Sequence, residues 1–172
     1  IINLKIMVLM VLSAEGEADF PWIISNVVDT ESGQPLGGGK VYHIVEHCGR
    51  KIGLIGLVER EWLDTVAVLD KDHIDYTDYV DAASMLAEEL KKNKVDKESK
   101  CCSTACINLS VCSGCEYVIA LTHMRTDNDV RLAEKVPEVN MILGGHSQVY
   151  EKRKVRLAIN KINYECLVQS HY

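Results

Sequence analysis

At 172 residues the chain has room for one domain with a sizeable core, but not for two comfortable ones. Its 47% hydrophobic and 26% charged residues are the make-up of a soluble globular protein rather than a disordered one. A formal charge of −6 argues against a nucleic-acid polymer as partner, which calls for a basic face, but leaves phosphate esters open because a bound metal ion can supply positive charge locally.

The apolar run Ile6–Leu12 falls far short of the roughly 20 residues that cross a bilayer, so no transmembrane segment is expected. A signal-peptide core is the alternative reading. However, Lys5 is the only positive charge ahead of the run, and a buried strand or helix piece fits the pattern better. That balance slightly favours the cytoplasm and otherwise leaves the compartment open. The chain opens on Ile1 rather than Met, which points to sequence upstream.

Pro21–Val28 is rich in aromatic and β-branched residues and predicts a strand. Asp29–Lys40, holding Gly33, Pro35 and Gly37-Gly38-Gly39, reads as a loop. Val41–Glu46 alternates as a half-buried strand does, Cys48-Gly49-Arg50 supplies a tight turn, and Lys51–Val58 is the near-continuous apolar run of a central strand. Between Tyr76 and Lys92 the period changes: Tyr79, Ala83, Leu86 and Leu90 share one face of a helix, with Lys91 and Lys92 at its negative end. Tyr117–Leu121 predicts a strand, Asn128–Lys135 a short helix capped by Asp127, and Val139–Leu143 a further strand after Pro137. Strand, helix, strand, helix, strand is the order of a largely parallel α/β sheet, with a fully buried sheet and helices outside. Reactive groups in such sheets sit beyond the carboxyl ends of strands.

Two of those strands run into histidine, the first in Thr122-His123-Met124-Arg125 and the second in Gly144-Gly145-His146-Ser147-Gln148. In a parallel sheet both imidazoles emerge at one edge. Imidazole suits zinc, manganese or iron, and the glycine pair lets the backbone approach a bound ion or phosphate closely. A lone histidine after a strand is usually an ordinary loop residue; two after consecutive strands indicate a metal site.

ALTHMR at 120–125 and ILGGHSQ at 142–148 resemble two late metal-binding motifs of the calcineurin-like metallophosphoesterases, most closely the 5′-nucleotidase branch. PWIISNVV at 21–28 and KIGLIGLVE at 51–59 are similar to stretches that join the early and late motifs there. The resemblance spans about residues 19–151, interrupted at 93–114, and leaves 152–172 as a C-terminal tail. It implies a partial four-layer α-β-β-α sandwich with mostly parallel central strands. It also implies a hydrolase with a two-metal centre of Mn, Zn, Fe or Mg, acting on a nucleoside monophosphate or another phosphomonoester. In that scheme His123 and His146 ligate one ion and Gln148 faces the other. Arg125 is a possible phosphate contact, with a surface ion pair as the alternative.

The family's early Asp-x-His pair, bridging Asp and Gly-Asn-His motif have no counterpart in residues 1–20; Asp19, followed by Phe20-Pro21, does not fit. Three neutral ligands make a weak site for a hard metal, so this chain alone is expected to be inactive. Residues 93–114 depart from the family too. Five of the seven cysteines lie between Cys101 and Cys115, but only Cys112-x2-Cys115 has ligand-like spacing, so a surface insertion is expected over a zinc module.

The remaining features read as ordinary. The odd cysteine count rules out complete pairing within the chain, and the sequon Asn108-Leu109-Ser110 matters only in a secretory setting. Gly37–Lys40 lacks the P-loop pattern, His43 and His47 belong to a strand, and His73 sits in an acidic loop with Asp70, Asp72 and Asp75. Asn128 has no stronger claim than helix capping. Besides the phosphoesterase, two other readings stand: a non-catalytic α/β scaffold and a cysteine-cluster zinc-binding module.

Overall fold

A computed structural model describes residues 20–65, 71–92, 114–147, 151–156 and 163–168. Strand β1 (Val27–Asp29) is followed by β2 (Tyr42–His47) and β3 (Arg50–Val58). The β2–β3 hairpin turns at Cys48 and Gly49, whose φ angles of 50° and 74° are the paired left-handed conformations of a type I′ turn, with His47 opposite Arg50. Helix α1 (Trp62–Thr65) and strand β4 (Ile74–Tyr76) lead to α2 (Tyr79–Lys91). Then come β5 (Tyr117–Met124), α3 (Thr126–Lys135) and β6 (Met141–His146). Two further strands, β7 (Glu151–Arg156) and β8 (Asn163–Val168), complete the order.

Among the described residues the main sheet has six strands, in the order β2-β3-β5-β6-β8-β7. The pairs β3–β5, β5–β6 and β6–β8 are parallel, and the edge strands β2 and β7 are antiparallel. The stretch 152–172, expected as a tail, thus supplies most of two strands. Glu151–Arg156 carries one apolar residue among charges and gives no strand signal by itself; pairing with β8 places it at the sheet edge.

Helix α2 buries the face its period announced, Tyr79, Ala83, Leu86 and Leu90, together with Ala82 and Ala87. It starts at Tyr79 rather than Tyr76 because the Asp78 carboxylate accepts the Val80 N–H as N-cap, while Tyr76 ends β4. Glycine in β3 makes this packing possible. A Cβ on Gly53 would lie 2.8 Å from Leu90 Cδ1, so the helix sits directly on the bare backbone. At its other end α2 closes onto the start of β5: Gly114 N–H donates to Lys92 O at 3.2 Å and Cys115 N–H to Leu90 O at 2.8 Å. The flanks of the cysteine-rich stretch therefore meet. Cys115 is buried in the main core, whereas Cys101, Cys102, Cys106 and Cys112 lie outside the described residues.

The expected strand at 21–28 is shorter than its composition suggested. Only Val27–Asp29 pairs, antiparallel to β4, while Ile23 makes an isolated bridge to Lys40. Residues 23–26 instead serve the end of β3, beyond the reach of β2. Ser25 N–H donates to Gly56 O, Gly56 N–H donates to Ser25 Oγ, and Asn26, 1% exposed, both donates to Val58 O and accepts from Val58 N–H. The loop expected at 29–40 also holds a 3-10 turn at Leu36–Gly38.

Burial differs between the two sheet faces. Ile55, Leu57, Val118, Ala120, Met124 and Ile142 pack against α2 and α3. On the opposite face Tyr117 and Leu121 are exposed, and Val27, Val58 and Leu63 form a second, smaller core. The expectation of a sheet covered on both faces is therefore met on one face only, among the described residues. The class is as expected: mixed α/β, with a mostly parallel sheet flanked by helices.

Candidate metal-binding rim

The carboxyl ends of β3, β5 and β6 lie side by side, with Val58 opposite His123, His123 opposite Gly145, and Met124 opposite His146. This register brings the two histidines together, their ring centroids 5.2 Å apart and nearly perpendicular. Gly145 offers no side chain between them; a Cβ there would stand 3.4 Å from His123 Nδ1. Desolvation, reinforced by the nearby His146, lowers the His123 imidazole below its usual range against an opposing pull from Glu59. That direction favours the neutral ring, the state in which imidazole donates to a metal.

His146 has φ of 76°, and Ser147 N–H donates back to Gly145 O at 3.0 Å. An i→i+2 bond across a central residue of positive φ is a γ-turn, strained for a side chain carrying a Cβ. Such strain persists only where neighbours hold it. Here Thr126 Oγ1 bonds Ser147 Oγ at 3.0 Å, tying the loop after β6 to the start of α3.

A clamp that no motif announced holds the loop after β5. Glu59, first residue past β3 and 4% exposed, accepts the Arg125 backbone N–H at 3.1 Å and the Arg125 Nε–H at 3.1 and 3.2 Å. It also accepts from the Asn128 amide, whose oxygen takes the Tyr79 hydroxyl proton at 3.0 Å. Burial pushes the Glu59 carboxyl up, but these donors together hold it below the usual carboxylate range. Arg125 further pairs with Glu61 at 2.6 Å. Its guanidinium is thus in ion pairs, the alternative to a phosphate contact. Asn128 is a bridge rather than a cap, and α3 begins at Thr126, ahead of the expected Asp127 cap.

Beneath the rim Asp129 is wholly buried. Thr122 Oγ1 donates to its Oδ1 at 2.6 Å, and its Oδ2 has no hydrogen-bond partner among the described residues. Burial raises its pKa to about 7, partly opposed by Thr122. No sequence signal separates Asp129 from its exposed neighbour Asp127.

Of the sequence-predicted ligands, His123 and His146 are brought together, and Gln148 lies outside the described residues. No group of three or more His, Cys, Asp or Glu side chains is placed to hold a metal ion among the described residues. Two imidazoles fit one ion completed by other donors; they do not by themselves make a two-ion centre. His73 bonds Glu31 through Nδ1 at 2.6 Å, and Asp70 falls outside the described residues.

The architecture defines an α/β protein with paired histidines at the carboxyl edge of a parallel sheet. No family model matches the sequence, and no curated protein matches it. Solved structures do. The NAD nucleotidase of Haemophilus influenzae is similar over 94% of this chain with a TM-score of 0.67 and 18% identity. A 5′-nucleotidase precursor of Thermus thermophilus is similar over 90%, with 0.61 and 20%. The calcineurin-like phosphoesterase YfkN of Bacillus subtilis is similar over 77%, with 0.53 and 22%. The chain spans 30%, 28% and 39% of those structures, respectively. Its fold is that of the calcineurin-like phosphoesterases and 5′-nucleotidases. No helix among the described residues is long and apolar enough to cross a membrane.

Proposed function

We propose that this chain carries the late half of a divalent-metal phosphomonoesterase centre of the 5′-nucleotidase type. We further propose that the 172 residues by themselves do not turn over substrate. The observation that supports the first part is the meeting of His123 and His146 across adjacent parallel strands, in a fold shared with nucleotidases and a phosphoesterase. The second part rests on the donor set: two imidazoles, and Gln148 in the sequence, with no group of three or more His, Cys, Asp or Glu side chains placed to hold a dication among the described residues. A bound divalent ion would supply Lewis acidity toward a phosphoryl oxygen. What the chain's own residues contribute is orientation. His123 and His146 present imidazole nitrogen donors, and Glu59 fixes the Arg125–Asn128 turn behind His123. The substrate class that fits is a phosphomonoester, a nucleoside 5′-monophosphate first.

Titration of the metal-free protein with cobalt(II) or zinc, followed by calorimetry and by His Nε2 and Nδ1 resonances, tests the assignment. Saturable binding that shifts His123 and His146 and disappears in H123A/H146A upholds it. Metal retained in that double variant but lost in C112S/C115S would assign the metal to the cysteine stretch, and a folded chain that takes no metal would leave a non-catalytic scaffold. Hydrolysis of AMP or an aryl phosphate in manganese is expected to be negligible; robust turnover abolished by H146A would refute the inactivity.

A further inference from the structure

Next to the rim, between the end of β3 and the starts of α2 and α3, lies a cleft of about 280 Å³ lined by Arg60, Glu61, Tyr76, Asp78, Tyr79, Asn128 and Arg131. Its charges are unevenly committed. Glu61 is spent on Arg125 at 2.6 Å, and the Asp78 carboxylate caps α2 by accepting the Val80 N–H at 2.9 Å. Arg60 and Arg131 have no carboxylate partner among the described residues. Each guanidinium lies instead over a tyrosine ring, Arg60 at 5.8 Å from the Tyr76 centroid and Arg131 at 5.5 Å from that of Tyr79. Stacking on an aromatic face steadies a guanidinium and leaves its N–H edge free for a planar or tetrahedral oxyanion. One N–H of Arg131 reaches the Tyr79 hydroxyl at 3.3 Å, which fixes its direction further. Burial raises Tyr76 to about 12 and raises Tyr79 as well, so both hydroxyls keep their protons and add no negative charge to the cleft.

Among the described residues neither of these pre-oriented cations is in an ion pair, although the Glu61 and Asp78 carboxylates share the cleft with them. The cleft is at the small end of ligand pockets, and it opens at the carboxyl edge of the sheet, where ligands of α/β proteins enter. We infer that this cleft is an anion site for a phosphate group, gripped by Arg60 and Arg131 and separate from the His123–His146 rim. It needs no metal, and it stands whether or not the rim binds one.

Orthophosphate is titrated into the protein in EDTA, following the Arg Nε–H resonances and the heat of binding. Saturable shifts of Arg60 and Arg131 are expected, with R60Q and R131Q each weakening binding by about tenfold and the double variant abolishing it. H123A/H146A is expected to bind within about twofold of the parent. A parallel titration with methyl phosphate distinguishes the sources. Binding at least as tight as orthophosphate's assigns the site to phosphomonoesters, and weaker binding to the free ion. No saturation up to about 50 mM, or equal affinity in R60Q/R131Q, would overturn the site, as would loss of binding in H123A/H146A. Both arginines are exposed, so the variants keep the core, and the direct arginine shifts in the parent decide the matter independently of them.

Discussion

Replacing Asp129 with Asn isolates the electrostatic cost of the one fully buried carboxyl described under the rim. In the native chain its ionisation is moved from 3.8 to about 7 by burial, with Oδ2 left unpartnered. The folded state therefore holds a proton that the unfolded chain has released across that interval. Stability from this group is complete below about pH 4 and is lost as pH rises to about 7, by about 4 kcal/mol at most. Asn is nearly isosteric, accepts the Thr122 hydroxyl through its oxygen and cannot ionise. Urea denaturation of both proteins from pH 4 to pH 8 gives the difference, in which other carboxylates such as Glu59 and Asp29, both held low, largely cancel. D129N is expected to gain on the parent steadily over that range, by about 2–4 kcal/mol between the ends. A difference that is flat with pH, or that shrinks toward pH 8, would show that Asp129 is hydrated and ionised in the folded protein.

Three further substitutions test the packing of the rim. Glu59→Ala strips the acceptor from the Arg125 N–H and the Asn128 amide and is expected to cost about 3 kcal/mol in urea unfolding, with Glu59→Gln losing less; equal stability of E59A would mean the clamp is idle. A Cβ on Gly56 would lie 2.3 Å from the Ile23 carbonyl oxygen, so Gly56→Ala is expected to lower the thermal midpoint more than Gly53→Ala, whose nearest neighbour is a leucine side chain that can move. The reverse order would contradict the approach of residues 23–26 to β3. His146→Gly removes a side chain from a left-handed backbone and is expected to raise stability by up to about 1 kcal/mol while cutting cobalt affinity; a large destabilisation would place His146 elsewhere than in the γ-turn.

Where the sequence states its own period, it reads correctly. The run from Lys51 to Val58 is a central strand because every residue is apolar or glycine, apart from Lys51, and it is paired on both sides from Ile52 to Ile55. Tyr79, Ala83, Leu86 and Leu90 become the buried face of α2. The histidine strand ends are legible for the same reason, since consecutive parallel strands must deliver their termini to one edge. Residues 21–28 mislead, because β-rich composition does not reveal that Ser25 and Asn26 spend their hydrogen bonds on β3 rather than on a ladder. The charged Glu151–Arg156 misleads in the other direction, since its partner alone makes it a strand. Glu59 is hardest to read. A glutamate after an apolar strand looks solvated, and only the return of β5 beside β3 gives it Arg125 and Asn128 as partners.

The bonds at the rim run in spatial order across the sheet. Glu59 beyond β3 grips Arg125 and Asn128 beyond β5, and Thr126 in that same turn grips Ser147 beyond β6. Each strand end is fastened to the next, so the distance between His123 and His146 is set by two short links rather than by the sheet alone. This explains how a strained φ at His146 can persist in a loop whose side chain is exposed: Ser147, on its carboxyl side, is bonded both to Gly145 and to Thr126. Donors held at fixed separation before an ion arrives lose little freedom when it binds, which is what a ligand pair short of carboxylates needs most. Loosening Glu59 should therefore weaken metal binding at histidines it does not touch.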